Sequence, residues 1–415
     1  MNIRQGLLTA VASAAMLTFT PAHAADTIRI AFIDPLSGPF AATGTNGLNQ
    51  YKFHAEQVNR AGGVLGGKKL EVIGFDNKVS PKESLIQLKR VIGDGIQFVA
   101  QGNSSGVANA LTDAINKHNG RDPDNRVLFL NYSAVDPALT NEKCNFWHFR
   151  FDANADMKMN ALTDVIAAEK GIKSVYILGQ DYSFGKAVAD GAVKFLGEKR
   201  PDIQIVGNEL HPIGKVKDFS PYVAKIKAAG AQALITGNWG ADMLNLSKAI
   251  SDAGLQIPVF TYYAAGSGIT KAIGASGVGT VKVVAEGAEN PPHTETWANT
   301  MKTFKGEYAD GNMDQPRIAN VIGMLAAAIN KAGSAKPIEV AKALEGMKFT
   351  SQWGDALEMR ASDHQLQMPV RIFDHTDKGV VFDMDGSGFG LVEKATVSAQ
   401  ASSTPTTCKM ERPAS

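Results

Sequence analysis

The chain has 415 residues, with 42 Lys and Arg against 41 Asp and Glu, and 44% of its residues are hydrophobic. That balance lacks the basic excess of a nucleic-acid binder. The length exceeds what one hydrophobic core supports and predicts two lobes.

The N-terminal stretch carries Arg4, an apolar run from Leu7 to Phe19, and Ala22-His23-Ala24. A charged start, a short apolar core and an A-x-A site predict a secretory signal peptide, residues 1–24, cleaved near Ala24. The apolar run is too short to span a bilayer as a helix. No later stretch of about 18 apolar residues follows, so a soluble mature protein is expected. Cleavage removes only Arg4 among the charges and leaves 41 basic and 41 acidic side chains. Export places the protein outside the cytoplasm. With no cysteine near the cleavage site, a free protein in a Gram-negative periplasm is expected rather than a lipid-anchored one. The two cysteines, Cys144 and Cys408, are an even count in an exported chain and predict a disulfide. It would tie the tail, residues 394–415, back to the body.

From Thr27 onward, short apolar runs alternate with helical patterns. Strands are predicted at Thr27 to Ile33, Leu70 to Phe75, Gln97 to Gln101 and Val127 to Asn131. Helices are predicted between them, at Gly47 to Asn59, after Ser80 and at Val107 to Lys117. Ser80-Pro81-Lys82-Glu83 reads as a capping box with proline in the first turn. Gly62 to Gly67 reads as a helix stop and a hairpin-like connection. The rhythm restarts after Phe151. Strands are expected at Ser174 to Leu178, Ile203 to Leu210, Ala233 to Thr236 and Val259 to Tyr262. The intervening helices run over Met157 to Glu169, Phe184 to Leu196, from a Ser220-Pro221 cap to Ala229, and over Met243 to Ala253. A helical block, Thr296 to Ala332, precedes strand-rich sequence from Met368 to Val392. Such alternation implies parallel sheets built from β-α-β crossovers. Two similar units without a Pro- or Ser-rich linker imply a two-lobed body with several crossings. Its ligand belongs in the cleft at the carboxyl ends of the strands.

Gly102-Asn-Ser-Ser-Gly106 matches G-x-S-x-G between a strand and a helix. It is open to three readings: a ligand-binding loop whose Ser104, Ser105 and backbone N–H groups face a carboxylate, a plain turn, or a hydrolase nucleophile. The eight histidines are scattered, and no H-E-x-x-H or C-x-x-C occurs, so no metal site is expected. Asp383 and Asp385 lack the bidentate Glu of a calcium loop and read as a turn. Tyr182, Phe184, Trp239, Tyr262 and Tyr263 lie where predicted strands end and are expected to line the cleft.

Ile30-Ala-Phe-Ile-Asp-Pro-Leu-Ser-Gly-Pro-Phe40, then Asn59 to Gly67 and Asp76, resembles the opening of leucine/isoleucine/valine-binding proteins. Asp136 to Thr140, Phe149-Arg150, Asp181 to Gly185 and Asp218 to Tyr222 continue the resemblance in order, to about Val392. It implies an α/β periplasmic binding protein type I fold: two Rossmann-like lobes joined by three hinge crossings. Residues 25–149 with 285–363 would form lobe 1, and 150–284 with 364–393 lobe 2. The implied function is that of a monomeric, non-enzymatic receptor without cofactor. It would capture a branched-chain or other apolar amino acid and deliver it to membrane permease subunits of an ABC importer. By the same resemblance Ser104 and Ser105 grip the ligand carboxylate, and Ser133, Ala134 and Val135 form the next loop. Tyr182, Phe184, Trp239 and Tyr263 complete the site. Val135 stands where a threonine hydroxyl is expected. The family's ammonium-pairing acid falls near Tyr263, where no acid is present. Either Asp181 or Asp242 supplies that charge, or the ligand is a non-amino organic acid such as an aromatic carboxylate. The family disulfide positions fall near Val79 and Ser104, so Cys144–Cys408 would be a different bridge.

Overall fold

The computed structural model describes residues 27–290 and 295–413; the predicted signal peptide lies outside them. Five strands open the fold: β1 (Ile28–Asp34), β2 (Leu70–Asp76), β3 (Phe98–Gln101), β4 (Leu128–Asn131) and β5 (His148–Arg150). They pair in parallel in the order β2-β1-β3-β4-β5. Helices on both faces explain their near-continuous apolar runs. Those between them are α1 (Ala41–Arg60), α2 (Pro81–Gly93) and α3 (Ser105–Arg121).

The second unit starts with α4 (Ala155–Ala168) and β6 (Ser174–Gln180). It continues through α5 (Ser183–Lys199), β7 (Gln204–His211), α6 (Ser220–Ala228), β8 (Ala233–Thr236), α7 (Gly240–Asp252), β9 (Val259–Thr261), α8 (Ile269–Ile273) and β10 (Val281–Ala285). The chain then forms α9 (Glu295–Glu307), α10 (Arg317–Ala332) and α11 (Pro337–Leu344). A small antiparallel sheet follows, of β11 (Lys348–Thr350), β12 (Ala356–Met359) and β13 (Leu366–Gln367). Finally β14 (Val370–Thr376) and β15 (Gly390–Val397) return to the second sheet as antiparallel edge strands. That sheet has the order β15-β14-β10-β9-β8-β6-β7.

Three segments therefore pass between the two large sheets: one after β5, one after β10 and one before β14. The strand order reverses between β1 and β3 in one sheet and between β6 and β8 in the other. Loops leaving those strands open crevices at the carboxyl edges, where open α/β sheets receive ligands.

The tail makes a fourth passage. After β15, the short α12 (Ala399–Ser402) leads to Thr406, whose Oγ1 donates to the Thr140 carbonyl at 2.8 Å. Thr407 N donates to Asn141 Oδ1 at 2.9 Å, and Cys408 is bonded to Cys144. The disulfide expected from the cysteine count is thus present.

Several local expectations shift. Helix α1 begins at Ala41, six residues before Gly47, because its polar first turn shows no apolar periodicity. Gly44 is needed there, since a Cβ would lie 1.8 Å from the Pro35 oxygen. Ser80 Oγ accepts from Glu83 N at 3.3 Å, but Ser80 N donates to Asn77 O, so only half of the capping box forms. Phe219, not Ser220, caps α6, and Asp218 Oδ1 takes the Ser220 N–H at 2.8 Å. The block from Thr296 to Ala332 is two helices, separated around Gly311 and Pro316. The hairpin reading of Gly62 to Gly67 agrees with the antiparallel bridge between Val64 and Lys68.

Candidate ligand-binding cleft

One wall of the cleft is built on loops leaving β3 and β4. Asp34, fully buried at the end of β1, fastens the first loop. Its carboxylate accepts from Gly102 N at 3.1 Å, Asn103 N at 3.0 Å and the Tyr132 hydroxyl at 2.6 Å. Burial pushes this carboxyl up to about 7, against the pull of those donors. Gly102 has no room for a side chain: a Cβ would lie 2.7 Å from Ser133 Cβ and from the Tyr132 ring. Ser104 follows in a left-handed conformation, φ 81°, as the N-cap of α3. In the second loop, Asn131 Oδ1 accepts from Ser133 N and Ala134 N, while its Nδ2 donates to Ala134 O.

The hydroxyl geometry sets what this wall offers. Ser105 Oγ accepts from Asp136 N at 3.2 Å, and Ser133 Oγ accepts from Arg317 Nη2 at 2.8 Å. With each oxygen already accepting, each hydroxyl proton is left to donate. Gln315 adds a further donor: its Oε1 accepts from Arg317 Nη2 at 3.2 Å, while its buried Nε2 has no partner among the described residues. These groups, with the N-terminus of α3, suit a carboxylate.

The opposite wall is aromatic and comes from loops leaving β6, β8 and β9. Tyr182 and Trp239 are joined by an indole N–H donating to the phenol oxygen at 2.8 Å. Phe184 lies edge-on to both Tyr262 and Tyr263, at 5.5 and 5.8 Å between ring centres. Edge-to-face packing holds these rings as a rigid apolar surface.

Below them lies a buried charge network. Lys158 Nζ sits 2.8 Å from Asp152 Oδ2 and 5.2 Å from the centre of the Tyr263 ring. Arg317 Nη1 is 2.7 Å from Glu286 Oε1, and its Nε is 3.6 Å from Asp152 Oδ2. Two cations face two anions, so the network is neutral. Burial opposes every charge in it, yet Arg317 and Lys158 hold the Glu286 carboxyl below its usual range.

The cleft holds about 740 Å³ free of protein atoms, part of it open to solvent. Ser104, Ser105, Ser133, Ala134, Val135, Tyr182, Phe184, Trp239 and Tyr263 all line it, as does Tyr262. Asp181 and Asp242 do not. Asp181 is exposed beside Lys186, with an oxygen 3.6 Å from Nζ. Asp242 is buried within its own unit, where Oδ2 accepts from Gln180 Nε2 and Gly214 N. The sequence reading also omits Thr43, Asp314, Gln315 and Arg317, all of which reach the cleft. Arg317 is the first residue of α10, and Asp314 and Gln315 lie in the connection just before it, inside a block that reads as helical and offers no local signal for a site. Among the described residues no histidine lines the cleft, so none of them offers Ser104 an imidazole base.

Two Rossmann-like sheets sharing a cleft at their carboxyl edges, with hydroxyl donors on one side and aromatic rings on the other, define a hinged small-molecule receptor. A family described as periplasmic binding protein matches residues 27–379. The chain is 31% identical to Leu/Ile/Val-binding protein homolog 4 of Brucella melitensis, with both chains covered in full. Among solved structures it resembles the leucine-, isoleucine-, valine-, threonine-, and alanine-binding protein from Brucella ovis in its closed conformation. That likeness has a TM-score of 0.82 at 30% identity and covers 94% of this chain and 100% of the other. A solute binding protein of an ABC transporter from Rhodopseudomonas palustris HaA2, in complex with p-hydroxybenzoic acid, shares the fold. Its TM-score is 0.75 at 20% identity, covering 90% of this chain and 98% of that one. The chain belongs to the periplasmic binding protein family.

Proposed function

We propose that this protein is a periplasmic receptor, exported by cleavage near Ala24, that works as a monomer with an ABC importer. Lobe 1 (25–149 with 285–363) and lobe 2 (150–284 with 364–393) rotate about the hinge segments. They shut on a branched-chain or other apolar amino acid and present it, unaltered, to membrane permease subunits. One observation carries this reading: the Ser105 and Ser133 hydroxyls, each already accepting one hydrogen bond from the protein, share a cleft with an aromatic wall. Such a cleft grips a carboxylate at one end and an apolar side chain at the other, and it makes or breaks no bond. The relatives named as leucine-, isoleucine- and valine-binding proteins support the solute class.

The same walls would accept an aromatic carboxylate, which is favoured by the lack of an acid at Tyr263. Calorimetric titration with leucine and with benzoate separates the two; heat from benzoate alone would dismiss the amino-acid reading. Ser105→Ala is expected to weaken binding by about 1–3 kcal/mol, because it removes a donor to an ionised group. Unchanged affinity would reduce the serine loop to a structural turn.

A further inference from the structure

The charges around the cleft narrow the solute class further, provided the receptor reading holds. Among the described residues, two charged side chains line the cleft, Arg317 and Asp314. Arg317 is engaged inside the protein, by Glu286, Asp152, Ser133 and Gln315. Asp314 is placed differently. Its Oδ1 accepts from Asn46 Nδ2 at 2.7 Å and Gln50 Nε2 at 2.9 Å. Both amides also donate to the Asn312 carbonyl, at 2.5 and 2.9 Å, so they fix the carboxylate without neutralising it. Its Oδ2 takes no hydrogen bond from another described residue, and no Lys, Arg or His among them pairs with it. That oxygen faces the other lobe at Gly266, where an added Cβ would lie 4.0 Å away.

The surroundings are negative as well. Asp314 and Asp385 both push the carboxyl of buried Glu289 upward, adding to the effect of its burial. Asp385 is itself held by Gly268 N and Thr270 Oγ1, both neutral. A carboxylate held by neutral amides in a narrow cleft is costly unless a cation arrives to pair with it. A plain carboxylic acid brings none and adds like-charge repulsion. We propose that Asp314, in the connection just before α10, receives the ammonium group of a zwitterionic amino acid whose carboxylate lies on the serine wall. It replaces the acid missing at Tyr263, and it makes the protein select amino acids against carboxylic acids of the same shape.

The test compares, by calorimetry on the full mature protein, the best binder among the twenty standard amino acids with its deaminated analogue. The wild type is expected to prefer the amino acid by at least about 30-fold, the scale of losing one partner of a desolvated charge pair. Asp314→Asn should weaken the amino acid by a similar factor and reduce the preference to within about threefold, whereas Asp314→Glu should retain it. Circular dichroism melting checks that each variant is folded. If Asp314→Asn fails to fold, the wild-type comparison alone decides. Equal or tighter binding of the deaminated acid, or a folded Asp314→Asn with unchanged amino-acid affinity, overturns the assignment and leaves the receptor reading intact. Absence of binding by both solute classes overturns the receptor reading itself, and this assignment with it.

Discussion

Ser105 and Ser133 matter because of where their protons are free to go, and Asp314 because of where its charge is left. Crowding by protein pushes the Asp314 carboxyl up to about 7, resisted by Gln50, Arg317 and Asn46. An ammonium bound beside it would lower that value in the complex. A group whose pKa falls on binding releases a proton, so affinity rises with pH until the free group is ionised. Affinity for an amino acid should therefore climb up to about tenfold per pH unit between pH 5.5 and 7 and flatten above about 8. Among neighbouring groups, Glu289, raised to about 8, acts in the same direction. Arg317, pushed above its ordinary value, stays charged throughout. Calorimetry across this window checks the slope, and Asp314→Asn should remove most of it. A flat wild-type profile would show that no cleft carboxylate is coupled to the ligand.

At the scale of elements, the crossings are held together by the buried network. Asp152 lies between β5 and α4, and Glu286 directly follows β10. Gln365, beside the third crossing, donates to Asp152 O at 2.7 Å, and Arg371 on β14 donates to Glu286 O at 3.0 Å. Removing one partner of such a network leaves an uncompensated buried charge. Asp152→Asn should cost about 3–5 kcal/mol, read from the urea midpoint at constant m-value. A cost below about 1 kcal/mol would mean that water or repacking serves Lys158 and Arg317 equally well. Much of this level is legible in the sequence. Strands covered on both faces leave apolar runs, and Gly- and Ser-rich loops at their ends announce the cleft. β5 escapes notice because it is three residues long, with His148 and Arg150 flanking Phe149. Asp314 and Arg317 escape because a block that reads as helical hides the connection before α10 and does not reveal which residues at its start face another lobe. Asp181 and Asp242 mislead for a related reason: they flank site loops in sequence, but the loop backbone turns one to solvent and the other into its own lobe.

In the whole molecule, contacts between the lobes show them shut over the cleft. Phe40, preceding α1 in one lobe, lies 4.2 Å between ring centres from Trp239 in the other. Its ring enters a socket that glycine keeps open, since a Cβ on Gly214 or Gly240 would approach it to 2.8 or 2.6 Å. Both glycines have positive φ, 66° and 56°, which L side chains resist. Asn312 Nδ2 also donates across to the Ala265 carbonyl at 3.2 Å. The disulfide-anchored tail runs beside this hinged body as a fourth link, so closure has to be a rotation that three crossings and a strap all tolerate. A ligand can drive that rotation only through contacts that differ between open and shut states. Phe40 supplies such a contact without touching the serine wall. Burying its ring on closure contributes about 1.5–3 kcal/mol, so Phe40→Ala should weaken ligand binding about 10- to 100-fold. The ligand-free melting temperature should barely move, because an open form leaves the ring in water. X-ray scattering should show the variant needing more ligand to reach the compact state. Unchanged affinity, or a large fall in ligand-free stability, would mean that Phe40 is a fixed part of the core and not a latch that forms as the lobes shut.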